Sequence, residues 1–227
     1  MNMRKNNKIT SYLIVFLFIA STLVPITICD ESKDTGLVGY WNFDEGTGSI
    51  AHDSSGNNNN GTIHGATWTT EGILNGALSF DGVDDYVSIP NNPRLNFHDT
   101  NCFSISIWVK RNDNPGTSKS FVSKGHRTPP NGYQLAISAN YRVGIYIGDS
   151  NSRHKCVSNQ EITDFKWNHF VAVWDGEYLS LYINGVLENS TYAGSFQISD
   201  DTKALEICNH YSNFLNGLID EMRIYER

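Results

Sequence analysis

The stretch KWNHFVAVWDGEYLSLYINGVL, residues 166 to 187, carries two runs of alternating apolar residues, HFVAVW (169–174) and YLSLYING (178–185). A period of two is the signature of a half-buried strand. Asp175-Gly176 separates the runs. Asn184-Gly185 follows the second and is the dipeptide preferred in tight hairpins, because both residues tolerate positive φ. The same alternation extends outward through FSISIWV (103–109), where Phe103, Ile105, Ile107 and Val109 share a side, and through YQLAIS (133–138) and YRVGIYI (141–147). No stretch after residue 30 keeps helical spacing. Roughly a dozen short strands without an internal repeat predict an all-β chain, folded as a two-sheet antiparallel β-sandwich.

The front end reads differently. Arg4, Lys5 and Lys8 precede an uncharged stretch from Ser11 to Ile28, the order of a secretory signal. Residues 1–29 are expected to be a signal peptide cleaved after Cys29, with an uncleaved N-terminal anchor or lipoprotein processing at Cys29 as alternatives. Residues 30–35 read as a linker and 36–227 as one domain. Every alternative places the domain outside the cytoplasmic membrane, at an extracellular or cell-surface location. The chain has 17 basic and 24 acidic residues, a net charge of −7, and loses three of its basic residues with the signal. No basic patch stands out, which argues against nucleic acid and anionic lipid as partners. An exported chain permits disulfides, so Cys102, Cys156 and Cys208 are expected to give one disulfide bond and one free thiol, in a pairing the sequence does not fix.

Five ordered segments carry a resemblance. GLVGYWNFDEGTGSIAHDSSGNNNNGTI (36–63) resembles the opening of the laminin-G-like, concanavalin A-like jelly-roll family, and GALSFDGVDDYVSIP (76–90) its second signature. FSISIWVK (103–110), KWNHFVAVWDGEYLSLYINGVL (166–187) and LNGLIDEMRIY (215–225) follow in the family's order. The resemblance implies a jelly-roll sandwich over 36–227, usually extracellular and often a module beside other domains. Two departures stand out. Cys208 replaces the glycine that relatives commonly have after the strand matching LEI. The chain also ends at Arg227, where many relatives continue, so a piece of a larger protein is one expectation.

Strict alternation in the last segment puts Leu218, Asp220, Met222 and Ile224 on one face, an aspartate among core residues. A buried carboxylate must be hydrogen-bonded, paired or metal-bound. The resemblance implies that the first and last strands are neighbours and that calcium is a common ligand. Calcium takes six to eight oxygens, and Asp44, Asp53 and Asp220, with carbonyls of the Asn-rich loop, are a candidate calcium set. The alternatives are that Asp220 latches backbone amides or lies on a solvent-exposed edge. Asp81, Asp84 and Asp85 in FDGVDDYV (80–87) read as turn residues capping amides, with calcium ligation as the second reading.

Signals for catalysis are weak. A retaining glycosidase needs two carboxyls about 5–5.5 Å apart. The related β-glucanases resemble Glu-x-Asp-x-x-Glu, whereas the matching stretch here is Leu218-Ile219-Asp220-Glu221-Met222-Arg223, without the leading Glu. The clustered Arg, Gln, His and Tyr of polysaccharide lyases is not visible either: Tyr133 and Gln134 have no matching histidine strand. No His-Glu-x-x-His or Gly-x-Ser-x-Gly occurs, and His169 reads as a structural hydrogen-bonder. The expectation is therefore an exported, non-catalytic module that binds carbohydrate, with calcium as candidate cofactor. A protein-adhesion or structural surface module is the alternative, ahead of a divergent hydrolase or lyase. The candidate binding loops are 52–67, 111–132, 148–160 and 208–216. HRTPPNGY (126–133) and GDSNSRHK (148–155) concentrate positive charge that could hold an acidic sugar.

Overall fold

The computed structural model describes residues 36–97, 102–125, 128–199 and 201–226. The expected signal segment 1–29 and linker 30–35 lie outside the described residues. In chain order the first strands are β1 (Leu37–Trp41), β2 (Ile50–Ala51), β3 (Gly61–His64), β4 (Thr67–Thr69), β5 (Ala77–Asp81) and β6 (Tyr86–Ile89). Next come β7 (Phe103–Arg111), β8 (Lys119–Lys124), β9 (Asn131–Ile137), β10 (Val143–Asp149) and β11 (Arg153–Val157). The last are β12 (Trp167–Trp174), β13 (Tyr178–Ile183), β14 (Val186–Tyr192), β15 (Leu205–Ile207) and β16 (Asn216–Glu226). No α-helix occurs among the described residues, so none there is long and apolar enough to cross a membrane.

The strands form two eight-stranded antiparallel sheets. The first runs β14-β13-β12-β7-β16-β5-β4, with β1 also on β16; the second runs β11-β10-β9-β8-β15-β6-β3-β2. Their inner faces meet in one core that includes Trp41, Phe103, Ile105 and Trp174 from the first sheet and Val87, Val122, Leu135 and Ile145 from the second. The expected hairpin is present, with Asn184 at φ 52° and Gly185 at φ 81°. The first and last strands meet as expected, Trp41 opposite Met222 and Tyr40 opposite Arg223. β16 threads between β7 and β5 so closely that a Cβ on Gly217 would lie 2.4 Å from the Lys110 carbonyl oxygen.

Directly opposed residues share a sheet face, and this corrects the alternation expected for β16. Ile219 opposes the buried Val109, whereas Asp220 opposes the half-exposed Trp108 and Leu218 opposes Lys110. Asp220 and Leu218 therefore point to the outer face. The register then shifts between Asp220 and Arg223, with Glu221 left-handed at φ 53°. Such a bulge inserts one residue and reverses the phase, so Ile224, opposite Ile105, points inward while Arg223, opposite Ser106, points out. The carboxylate is buried without belonging to the core between the sheets.

Among the described residues the expected disulfide is not formed between any two of Cys102, Cys156 and Cys208. The Cys156 thiol sits in the core and is bonded to Thr191. Cys208 is fully buried at φ 65°, a left-handed conformation that favours glycine.

Candidate functional site

Cross-strand pairing lines up one polar row over the outer face of the second sheet. Tyr146 opposes Gln134, Gln134 opposes Ser123, Ser123 opposes Glu206, and Glu206 opposes Ser88. The residues beside them in sequence, Ile145, Leu135, Val122, Ile207 and Val87, point into the core. The row is the solvent-side half of an ordinary alternating pattern. Its middle is nevertheless covered, leaving Gln134 at 4 % and Ser123 at 2 % exposure.

The cover is the loop after β15. Ser123 Oγ donates to the Asn209 carbonyl at 2.6 Å, and the Asn213 side-chain amide donates to the His210 carbonyl at 2.9 Å. Three non-glycine residues of this loop, Cys208, Tyr211 and Ser212, hold positive φ. Left-handed residues of this kind cost about 1–3 kcal/mol each and gather at ligand clamps. From the neighbouring side, Lys124 Nζ donates to Asn91 Oδ1 at 2.7 Å and to the carbonyls of Lys203 and Asp201 at 2.6 and 3.1 Å, fixing the segment before β15.

Between these walls lie two small adjoining hollows that share His210. Gln134, Tyr146 and Arg153 line the first; Ser123, Glu206, Lys203 and Tyr211 line the second. Arg153 donates to Gln134 Oε1 at 2.7 Å. A guanidinium can only donate, so this bond fixes the orientation of the Gln134 amide. Its Nε2 is thereby left buried with no hydrogen-bond partner. Arg153 also lies over the Tyr146 ring at 4.2 Å, and Lys203 over the Tyr211 ring at 5.3 Å. Burial pushes the Glu206 carboxyl above its ordinary pKa, and the charge of Lys203 draws it partly back.

The three aspartates singled out in the sequence serve other ends. Asp53 accepts from the backbone amides of Tyr40 and Ser55 on Oδ1 and of Asn59 on Oδ2, each at 2.9 Å, tying the Asn-rich loop to β1. Asp44 accepts from the Gly76 amide at 2.8 Å and from the side chains of Asn42 and Asn75. Asp220, at 0 % exposure, accepts on Oδ2 from the amides of Ile73 and Leu74 at 2.9 and 3.1 Å. Burial raises its pKa to about 6, against the pull of the Leu74, Glu221 and Ile73 amides.

Asp44 and Asp220 thus grip one loop, residues 73–76. Oxygens aimed at N–H donors are poorly placed to share a cation, and the three carboxylates do not converge. Among the described residues, the grouping of three ligand-type side chains within 4.8 Å is Asp81, Asp84 and Asp85. There Asp81 caps the Val83 amide, and Asp85 Oδ2 accepts from the Asp81 amide. Among the described residues, Asp44, Asp53 and Asp220 are not brought into one such grouping. His169 is engaged as expected, with Nε2 2.7 Å from Ser106 Oγ and its ring stacked on Trp108.

The sequence alone singles out Gln134 and the loops that carry Arg153 and His210, but not their convergence, for a physical reason. Gln134, Tyr146, Arg153, Glu206 and His210 come from distant segments, and each taken singly is an ordinary outward or loop residue. The grouping of Arg, Gln, His and Tyr that is not visible along the chain is assembled by the sheet. Among the aromatic rings that could stack on a sugar, Tyr211 is 52 % exposed, while Trp68, Tyr141 and Tyr146 are half-buried.

Comparison with known proteins bears on the fold. The family model of the concanavalin A-like lectin/glucanases superfamily matches residues 81–227. A search of curated protein sequences finds no match. Among solved structures, domain 4 of AbnA, a GH43 extracellular arabinanase from Geobacillus stearothermophilus in complex with arabinotriose, is similar at TM-score 0.67 and 22 % identity. That match covers 84 % of this chain and 92 % of the other. The binding domain of botulinum neurotoxin DC is similar in complex with rat synaptotagmin II (TM-score 0.66, 16 % identity) and with SialylT (TM-score 0.67, 16 % identity). Each of those matches covers 85 % of this chain and 48 % of the toxin chain, so this chain spans about half the length of those domains. At these identities the likeness is one of fold.

Proposed function

Since the chain belongs to the concanavalin A-like lectin/glucanases superfamily, we propose that it is an exported, non-catalytic module that binds carbohydrate in the hollows over the second sheet. The observation that carries this is Gln134. A buried amide donor left without a partner is costly, and its cost is relieved by a ligand acceptor entering the hollow. Saccharides present many such acceptors. The neighbouring arabinanase domain, described with arabinotriose, supports a glycan on this fold, and the toxin domain described with synaptotagmin II supports the alternative of a protein receptor. The place of action is outside the cell, with residues 1–29 as the export signal.

The test is an array of polysaccharides and glycans probed with the full chain, in calcium and in chelator. Binding supports the reading. Binding lost on chelation assigns calcium a part, with the turn Asp81–Asp85 as the grouping to mutate. Binding to surface proteins and to no sugar would establish the adhesion module instead. One observation favours a second reading: Gln134, Arg153, His210 and Tyr146 line one hollow and match the residue types of polysaccharide lyases. Shortening of an arrayed polysaccharide would replace binding by catalysis.

A further inference from the structure

We infer that the hollows over the second sheet select a saccharide bearing a carboxylate over its neutral counterpart. The inference rests on the glycan reading above and adds the ligand's charge. Donors dominate the lining. Arg153 and the unpartnered Gln134 Nε2 belong to one hydrogen-bonded pair, so a guanidinium and an amide N–H stand side by side. Two planar donor groups so placed suit the two oxygens of a carboxylate. Lys155 opposes Tyr146 across β10 and β11 and adds a second positive charge at that end. Lys203, in the adjoining hollow, is offset by Glu206.

Against them stands one acid of the lining, Glu206, whose charge is opposed by burial and balanced by Lys203. This gathering of cations is local, because the chain as a whole carries a net charge of −7. The aromatic rings point the same way. A neutral sugar is commonly held by stacking on an open ring face, yet one face of Tyr146 is covered by Arg153 and one face of Tyr211 is approached by Lys203. The rings therefore hold cations in place, and the cations are what a ligand meets.

The carboxylate could come from a uronic acid or from a sialic acid, and the experiment separates them. The full chain is titrated with trigalacturonate and its carboxyl-reduced trimer, and with sialyllactose and lactose. At least one acidic member is expected to bind about tenfold or more tightly than its neutral partner, the difference that one charge-assisted contact supplies. That advantage should shrink as salt is added. Preference in the first pair names a uronate, preference in the second a sialate. Arg153→Met, on an exposed strand position, should abolish the preference in a chain that still unfolds cooperatively. Neutral and acidic sugars binding equally, or an Arg153→Met chain that keeps the preference, overturns the inference and leaves the glycan reading standing. No binding of any sugar overturns both.

Discussion

Burial holds the Asp220 carboxyl at a pKa of about 6 in the folded chain, against an ordinary value near 3.9. The folded state thus binds the proton more tightly than the unfolded state between these values. Linkage then makes stability fall as pH rises through the interval, by up to about 3 kcal/mol. Asp220→Asn keeps an acceptor for the Ile73 and Leu74 amides and has no proton to lose. Denaturation curves from about pH 4 to about pH 7 should therefore show the native chain losing ground to the Asn variant as pH rises. Parallel curves would mean that the carboxyl titrates normally. Asp53 makes a simpler case. Asp53→Ala strands three backbone amides and should cost about 3 kcal/mol in denaturant melts. An undiminished midpoint would remove Asp53 as the tie between the Asn-rich loop and β1. The sequence singled out Asp220 as a carboxylate among apolar residues and Asp53 as a calcium candidate, but it offered no sign of which amides they hold, because those donors are brought near only by the fold.

Elements were legible where local chemistry suffices and opaque where pairing decides. Alternation in β7, β12 and β13 and the Asn184-Gly185 turn were readable because period and turn chemistry are local. The phase slip in β16 was not readable, since it depends on Glu221, a residue without the freedom of glycine, adopting φ 53° under the grip of Tyr40 and Arg223 on its carboxylate. Central placement of β16 also gives a test at this scale. Gly217→Ala pushes a methyl against the Lys110 carbonyl and should destabilise the chain by about 1–3 kcal/mol. Gly46→Ala in the exposed first loop meets no atom within 4 Å and strains only its own φ of 68°, so it should cost about 1–2 kcal/mol. Equal melting curves for native chain and Gly217→Ala would show that β7 and β16 can spread.

At the scale of the molecule, the sixteen strands of the described residues, in two sheets, leave one outer surface of the second sheet roofed by the loop after β15. The fold class follows from alternation and turns, and the family resemblance agrees with it. The site does not follow from them, because polar residues such as Gln134 and Glu206 occupy outward positions that any strand would fill with polar side chains. What marks them is convergence, burial and an unanswered donor, all of which are properties of the assembled sheet.

The most direct measurement is a side-by-side glycan array of the native chain and Gln134→Met, with matched unfolding midpoints as the control. The account predicts that the sugars retained by the native chain bind the variant at least about tenfold more weakly, the loss expected for one buried hydrogen bond together with the disturbed Arg153. Undiminished binding by a folded variant would contradict it and place any glycan away from the hollows over the second sheet.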